Sequence, residues 1–145
     1  MTSDRDAQEI ARMIRANFDA FMAGDIATMR TMDHTDSTIW DLFEPKLFVG
    51  AAARERFRTN DRAQSQKRGK LTMTVDEPLT EVWGDTALAR YTLHFSYEPP
   101  NATRAHVRIT DVFRRIDGRW LRVHHHEGEV PTGIPPIAEP PPGNQ

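Results

Sequence analysis

Apolar residues near the start of the chain recur with the spacing of a helix. The face that they form predicts an amphipathic helix of about five turns and comprises Ile10, Met13, Ile14, Phe18 and Phe21. Gly24 is expected to end that helix, and Asp25 to cap a short second helix over residues 26–32. A third helix is predicted over residues 51–60, with Phe57 facing inward.

Strand-like patterns account for most of the remaining chain. A β-rich strand is predicted over residues 38–43, after a turn at residues 34–36, and a short one over residues 47–49. Beyond a polar loop at residues 64–70, further strands are predicted over residues 71–75, 79–83, 87–97, 104–116 and 119–127. This order predicts the α+β class, in which three N-terminal helices cover one face of a curved antiparallel sheet.

The composition changes near the end of the chain. Residues 131–145 hold six of the ten prolines, so they are expected to be polyproline-like or disordered and cannot pair in a sheet. The sequence therefore predicts one cone-shaped domain over residues 1–130 and a proline-rich tail over residues 131–145.

Strand alternation separates an inner face of the sheet from an outer one. The odd-numbered positions of the long strands are mostly apolar and the even-numbered ones polar, so the odd positions are expected to face the core. Four ionisable residues fall on these apolar faces, namely Asp41, Asp111, His125 and Glu127. The arginines of the even face are expected to be solvated or to lie at a dimer interface, namely Arg90, Arg108, Arg114 and Arg122.

The turn at Asp117-Gly118 decides which residue lies opposite Asp111. A strict two-residue hairpin would pair Asp111 with His124, whereas a looser loop with Gly118 as a bulge residue would pair it with His125. The second register is preferred because it keeps the apolar faces of the two strands together.

Two groups are candidates for acid–base chemistry. Asp41, in an apolar strand, should have a raised pKa and could act as a base, or it could simply accept backbone N–H groups near the following Glu-Pro bend. Asp111 and His125 could form a couple in which the carboxylate orients the imidazole, or a structural ion pair. Glu127 is expected near the cone mouth, where rim charges are common.

A concave apolar cavity with a few polar groups is the default ligand site of such a domain. Tyr91 and Asn17 are predicted as secondary hydrogen-bond donors to a ligand. The predicted wall of the cavity comprises Asn17, Phe18, Phe21, Trp40, Phe57, Tyr91, Leu93, Phe95, Ile109 and Glu127.

Composition and charge narrow the class of partner. The net charge of −2 and the absence of a basic block argue against nucleic acid and anionic membranes as partners. The absence of cysteine excludes disulfides, thiolate nucleophiles and iron–sulfur ligation. The polar start of the chain does not resemble a signal peptide, so a cytoplasmic protein with a small-molecule partner is expected.

The run His124-His125-His126 raises the possibility of a metal site. On a strand, His124 and His126 share one face and His125 lies on the other, and His94 and His106 could join the first pair. Nothing in the sequence fixes three or four ligands at close range, so no metal and no cofactor are expected.

The segment ITDVFRRIDGRWLRVHHH (residues 109–126) resembles the C-terminal signature of SnoaL-like domains of the nuclear-transport-factor-2-like superfamily. The Ala-Gly-Asp at residues 23–25 and the Phe-Glu-Pro at residues 43–45 are similar to the association domain of calcium/calmodulin-dependent protein kinase II. The resemblance covers residues 8 to 135 and implies the cone fold and a homodimer. The arginines that line the pocket of that association domain fall on Leu93, Asp111 and Glu127 here, so an anion-binding pocket of that kind is not expected.

Ketosteroid isomerase is a more distant relative by resemblance. Its general-base aspartate is implied at Asp41 and its protonated aspartate at Asp111, a pair that serves as a worked example of carboxylates separated in pKa by their surroundings. Its oxyanion-hole tyrosine would fall near Asn17, and an amide is not an acid, which argues against steroid-type enolisation.

The leading hypothesis is a cofactor-independent enzyme that moves protons on a small, mostly apolar, aromatic or polyketide-like molecule. Isomerisation, aldol-type cyclisation, dehydration and retro-aldol cleavage by a lyase all fit, with Asp41 as the base and His125 with Asp111 as acid or donor. A non-catalytic ligand-binding or dimeric assembly domain is the alternative, and a metal-dependent enzyme ranks third.

Overall fold

A computed structural model describes residues 2–135 and 137–143 of the chain. Its helices and strands are α1 (Thr2–Ala23), α2 (Ile26–Met32), β1 (Asp33–Trp40), β2 (Phe48–Val49), α3 (Gly50–Ser65), β3 (Leu71–Val75), β4 (Leu79–Trp83), β5 (Thr86–Tyr97), β6 (Thr103–Ile116) and β7 (Arg119–Glu129). This order confirms the predicted α+β class, with three helices before a long run of strands.

The first two helices follow the apolar pattern closely. Ile10 and Ile14 of α1 are fully buried and Phe18 is 9% exposed, because they lie on the one face that packs against the sheet. Gly24 ends α1 in the left-handed region at a φ of 71°, where glycine has no steric penalty. Asp25 then caps α2 by accepting the Thr28 N–H at 3.2 Å.

The seven strands form one curved, unclosed sheet in the order β2-β1-β7-β6-β5-β3, and β4 also pairs with β5. All of the pairings are antiparallel except that of β1 with β7, which is parallel. The core lies between the helices and the inner face of β5, β6 and β7. The predicted alternation of β5 and β6 is confirmed, since the buried positions are Ala87, Ala89, Tyr91, Leu93, Tyr97, Val107, Ile109, Asp111 and Phe113.

The first strand differs from its prediction at both ends. Residues 34–36 lie in β1 rather than in a turn. The parallel strand β7 pairs with β1 on either side of them, at Asp33 and from Thr38 onward, and the register shifts in between. The strand ends at Trp40, so Asp41 and Phe43 lie in the loop that follows it. The side chain of Phe43, predicted to face inward, is 73% exposed.

The β6–β7 hairpin pairs Asp111 with His125 as predicted, but the bulge that produces this register lies inside β7 and not in the turn. Asp117 and Gly118 form a strict two-residue turn with φ values of 52° and 77°, as type I′ turns require. The extra residue is Val123, inside β7, where the register shifts by one. Asp111 therefore lies opposite His125, as predicted.

The bulge at Val123 also reverses the phase of alternation along β7. Its buried residues are Trp120 and Arg122 before the bulge and His125 after it, so odd numbering holds only in the second half of the strand. The prediction of Arg122 on the outer face was therefore wrong, and this side chain is 5% exposed in the core.

The third helix extends beyond its prediction. It runs from Gly50 to Ser65, five residues past the predicted end at Asn60, and so places Asp61 on a helix. Residues 131–135 and 137–143 of the predicted tail form no helix or strand, while Pro136, Asn144 and Gln145 lie outside the described residues, as does Met1 of the predicted domain. Within the described part of the chain, no helix has the length and apolar character needed to cross a bilayer.

Candidate active site

A cavity of about 110 Å³ lies between the helices and the inner face of the sheet. This volume is several times what one water molecule needs, so the cavity has room for a small molecule. Its wall comprises Asn17, Phe18, Phe21, Met29, Ile39, Asp41, Phe57, Arg58, Asp61, Met73, Leu93, Arg122, His125 and Glu127. Most of this wall is apolar, and polar groups from α1, α3, β7 and the loop after β1 converge on it.

His125 is held between two carboxylates. Its Nδ1 lies 2.5 Å from Asp111 Oδ1, and its Nε2 lies 3.0 Å from Glu127 Oε1. Both ring nitrogens can donate at once only in the imidazolium form. The arrangement therefore favours a positive charge on a side chain that is 6% exposed.

The pKa values of this pair move in opposite directions. Burial and the charge of Arg122, whose Nη1 lies 3.1 Å from Nδ1, would lower the pKa of His125, but the Asp111 carboxylate and the hydrogen bonds to Asp111 and Glu127 outweigh them and raise the pKa to about 9. Burial alone would raise the pKa of Asp111, but His125, Arg122 and its hydrogen bonds lower it below the ordinary value. At neutral pH the couple is consequently an imidazolium next to a carboxylate.

Tyr91 supports this couple from behind. Its hydroxyl donates to Asp111 Oδ2 at 2.6 Å, and its ring meets Phe18 edge-on with centroids 6.2 Å apart. Burial, followed by the charge of Asp111, raises the pKa of Tyr91 well above its ordinary range. Its hydroxyl proton is directed at Asp111 and its side chain is absent from the cavity wall, so the structure places Tyr91 behind the couple rather than on the wall where it was predicted.

The buried carboxylate of Asp33 lies close to three arginines. Arg122 Nε donates to Asp33 Oδ1 at 2.7 Å, Arg58 Nη2 donates to Asp33 Oδ2 at 2.6 Å, and Arg54 Nε lies 4.0 Å away. Burial alone would raise the pKa of Asp33, but Arg122, Arg58 and Arg54 lower it. Arg122 Nη1 also lies 3.6 Å from Asp111 Oδ1, which joins this cluster to the His125 couple.

The buried charges do not balance. Asp33 and Asp111 are the buried carboxylates, against the buried cations Arg54, Arg58, Arg122 and His125. Arg58, Arg122 and His125 reach the cavity wall, where they share it with the carboxylates Asp41, Asp61 and Glu127. Arginines thus line the cavity from positions other than those expected by resemblance.

Asp41 lines the cavity from the loop after β1. Its Oδ2 accepts the Phe43 N–H at 2.8 Å and the Glu44 N–H at 3.2 Å, which fixes its orientation. Burial and then the charge of Glu127 raise the pKa of Asp41, against the opposing effects of those two N–H groups and of His125. Both interpretations of Asp41 therefore have support: it accepts backbone N–H groups, and it faces the cavity.

Asp61 is a second carboxylate on the same wall. Burial, followed by the charges of Asp41 and Glu127, raises its pKa to about 6, and Arg68 opposes this shift. Asp41 and Asp61 also line a neighbouring surface groove together with Phe57, so they form the partition between that groove and the cavity. Asp61 is ionised at neutral pH but is basic enough to accept a proton.

Asn17 adds a polar group without a partner. Its side chain is 7% exposed and faces the cavity, and its Oδ1 has no hydrogen-bond partner among the described residues. A buried acceptor without a partner costs about 1–3 kcal/mol, so a ligand or water that donates to it would be favoured.

The structure brings together some of the predicted site residues and separates others. Those on the cavity wall are Asn17, Phe18, Phe21, Asp41, Phe57, Leu93, His125 and Glu127. The others lie elsewhere: Trp40, Tyr91, Phe95, Ile109 and Asp111.

The structure shows why these residues do not line the cavity. Trp40 ends β1 pointing outward, 38% exposed, with its ring 6.4 Å from that of His126. Phe95 packs edge-on against Tyr97, with ring centroids 6.1 Å apart. Ile109 is a core residue, 2% exposed, and Asp111 is fully buried behind His125.

Sequence reasoning missed several wall residues, namely Met29, Ile39, Arg58, Asp61, Met73 and Arg122. Met29 and Ile39 carried an ordinary signal, since each is an apolar residue of a predicted element. Arg58 carried no such signal, because adjacent residues on a helix point about 100° apart and the inward Phe57 does not place its neighbour. Asp61 and Arg122 carried no signal in the sequence, because one lies beyond the predicted helix and the other depends on the bulge.

The histidines of the outer sheet face do not build a metal centre. His94 Nδ1 lies 2.6 Å from His106 Nδ1, and His94 Nε2 lies 3.0 Å from Asp76 Oδ1. Within residues 2–135 and 137–143, no three or more acidic or histidine side chains are arranged to hold a metal ion. These histidines form hydrogen-bonded pairs on the surface opposite the cavity.

Comparison with known proteins gives a family and a set of structural neighbours. The family model described as a SnoaL-like domain matches residues 10–132. A search of curated proteins finds no significant match.

Many solved structures share the fold. A proposed dehydratase of the nuclear-transport-factor-2-like family from Streptomyces avermitilis has 21% identity and a TM-score of 0.77, over 89% of this chain and 99% of that one. A proposed ketosteroid isomerase from Shewanella frigidimarina has 20% identity and a TM-score of 0.68, over 80% and 91% of the two chains. The association domain of the C. elegans calcium/calmodulin-dependent kinase II has 23% identity and a TM-score of 0.68, over 87% and 97%. At these identities the likeness establishes the fold alone.

Proposed function

The chain belongs to the SnoaL-like domain family, and we propose that it is a cofactor-independent enzyme that abstracts a proton next to a carbonyl group of a small, mostly apolar molecule. One observation carries this proposal. In a single cavity, two carboxylates with raised pKa values share the wall with a buried imidazolium. A base and a cationic hydrogen-bond donor are the two groups that enolisation needs.

The coupled carboxylates Asp41 and Asp61 act as the base. The charge of Asp41 raises the pKa of Asp61, so Asp61 takes up a proton more readily while Asp41 is ionised. One carboxylate takes the proton from the carbon next to the carbonyl group, and the electron pair of that C–H bond moves onto the carbonyl oxygen. This completes the assignment of Asp41 as base that the sequence suggested, with Asp61 as its partner.

His125 stabilises the oxyanion that this step creates. In the structure its Nε2–H is donated to the Glu127 carboxylate, a negatively charged oxygen at 3.0 Å. An oxyanion carries the same charge, so it can replace Glu127 at that position as Glu127 turns toward the cavity mouth. Asp111 holds the ring in orientation, and Tyr91 holds Asp111.

Several outcomes follow from the same intermediate. Return of the proton to another carbon gives isomerisation, departure of a β-hydroxyl as water gives dehydration, and cleavage of the adjacent C–C bond gives a retro-aldol reaction. Dehydration is the activity proposed for the Streptomyces protein that shares this fold, and ketosteroid isomerisation is the one proposed for the Shewanella protein. The apolar walls formed by Phe18, Phe21 and Phe57 suit an aromatic or polyketide-like substrate.

Deuterium exchange tests this proposal without knowledge of the natural substrate. The protein is incubated in heavy water with β-tetralone or phenylacetone, and loss of the α-hydrogen NMR signal gives the rate. Wild type is expected to exceed the buffer rate, and Asp41→Asn, Asp61→Asn and His125→Gln should each reduce the catalysed rate by roughly 100-fold or more.

Asp19→Asn is the matched control, since Asp19 is an exposed carboxylate of α1 that does not line the cavity. It should retain the wild-type rate. Catalysis that survives both Asp41→Asn and Asp61→Asn would refute the assignment of the base.

A ligand-binding domain without catalysis is the alternative. The observation that favours it is the pair of backbone N–H groups that Asp41 accepts, because they stabilise its charged form. Under that alternative the ketones would bind without any exchange above the buffer rate.

A further inference from the structure

A second cavity of about 290 Å³ adjoins the active-site cavity. It lies between the end of α1, the start of α2, the end of α3 and the start of β3. Its wall is formed by Phe21, Met22, Ala23, Gly24, Ile26, Met29, Arg58, Arg62, Ser65, Gln66, Gly69 and Leu71. The proposed chemistry uses no residue that belongs to this cavity alone.

Three side chains line both cavities and so form the partition between them, namely Phe21, Met29 and Arg58. Arg58 is held in place by Asp33 at 2.6 Å, so it cannot move without breaking a buried ion pair. The side chains of Phe21 and Met29 are apolar, so a change of rotamer there breaks no ion pair. An opening between the cavities therefore lies on the side of Phe21 and Met29.

Met29 is suited to such an opening. Its side chain is unbranched, has three rotatable bonds and carries no polar atom that needs a fixed hydrogen bond. It lies on α2, a helix of seven residues that is capped by Asp25. A rotamer change at Met29 could join the cavities without moving the backbone.

We infer that the two cavities form one cleft and that the substrate is an elongated, chain-bearing carbonyl compound. The inference rests on the proposed function: the enolisable head binds at Asp41, Asp61 and His125. An apolar chain passes between Phe21 and Met29 and ends in the second cavity beside Ile26 and Leu71. Met29 is the specificity-determining residue for chain length.

A homologous series of para-alkylphenols, from methyl to hexyl, probes this cleft. The phenol oxygen stands in for the enol at His125, and the alkyl group stands in for the chain. Calorimetric titration is expected to show affinity that rises about three- to fourfold for each added methylene group until the second cavity is filled. The readout is the ratio of hexyl to methyl affinity for each protein.

Two variants close the second cavity from different walls. Met29→Trp fills the partition, and Leu71→Trp fills the far side, since Leu71 lines only the second cavity. In both, the hexyl-to-methyl ratio should fall to near one. Met32→Ala is the matched control, because Met32 is a buried methionine of the same helix that lines neither cavity, and it should keep the wild-type ratio.

The outcomes separate this inference from the proposed function. A hexyl-to-methyl ratio near one in wild type, with phenol binding that His125→Gln abolishes, would overturn the cleft and leave the active site intact. A steep ratio that survives both tryptophan substitutions would also overturn it. A steep ratio that both substitutions remove, with phenol binding insensitive to His125→Gln, would support the cleft and refute the role of His125.

Discussion

Asp61 is an acidic side chain in a place that disfavours its charge. Burial and the nearby charges of Asp41 and Glu127 raise its pKa to about 6, from an ordinary value of 3.8. A group whose folded-state pKa is raised contributes stability when protonated, and this contribution is lost as the pH rises from 3.8 to 6. At neutral pH the ionised Asp61 therefore destabilises the fold, as expected for a residue kept for chemistry.

Asp61→Asn is predicted to stabilise the protein at neutral pH while it lowers activity. The gain in free energy of unfolding should be at most about 3 kcal/mol at pH 8, and it should disappear below pH 4, where both side chains are neutral. Urea denaturation at the two pH values measures it. Asp61→Asn protein that is less stable than wild type at pH 8 would contradict the raised pKa.

The elements of the site are joined by one buried carboxylate. Asp33 begins β1, and its side chain contacts Arg54 and Arg58 of α3 and Arg122 of β7. The ion pairs fix α3 against the sheet and so position both Asp61 and the Arg58 part of the wall. If Asp33 loses its charge, Arg122 keeps only the longer contact to Asp111 at 3.6 Å, and Arg58 keeps only the one to Glu55 at 3.7 Å.

Asp33→Asn is predicted to destabilise the fold by about 3–5 kcal/mol, because it leaves buried arginines without their counter-charge. Asp36→Asn, in the same strand but exposed, should change stability by less than about 0.5 kcal/mol. Chemical denaturation of both variants at pH 7 makes the comparison. Equal, small effects would show that the cluster does not join these elements.

Strand alternation explains which parts of the fold were predictable. The inner faces of β5 and β6 follow a period of two over their whole length, so Asp111 could be placed among apolar residues from the sequence. The bulge at Val123 breaks that period, and no residue type near Val123 indicates a bulge in the sequence. Arg122 was therefore assigned to the wrong face, whereas His125, beyond the bulge, was assigned to the right one.

The first strand and the third helix were misplaced for a different reason. Residues 33–37 are too polar to suggest a buried strand, yet β1 gains its hydrogen bonds from a partner almost ninety residues away, which pairs Asp33 with Arg122. Residues 61–65 carry no apolar face, so their helix depends on α3 continuing. The sequence therefore did not identify Asp61 as a residue of the cavity wall.

The acidic and the cationic residues of the cavity lie on different sides of it. Asp41 and Asp61 border the surface groove on one side, while Arg122 and His125 are almost fully buried on the other. A carbonyl compound bound between them meets a base at its carbon and a cation at its oxygen. Enolisation needs both sides of this division, since a base alone or a cation alone would bind a ligand without activating it.

The pH dependence of deuterium exchange tests that claim most directly. The catalysed rate should rise as Asp61 ionises near pH 6 and fall as His125 loses its proton near pH 9, which gives a bell-shaped profile. His125→Gln should remove the fall at high pH and leave the rise near pH 6. A wild-type rate that keeps climbing through pH 9, or one that does not change around pH 6, would contradict the assignment of base and cation to the two sides of this cavity.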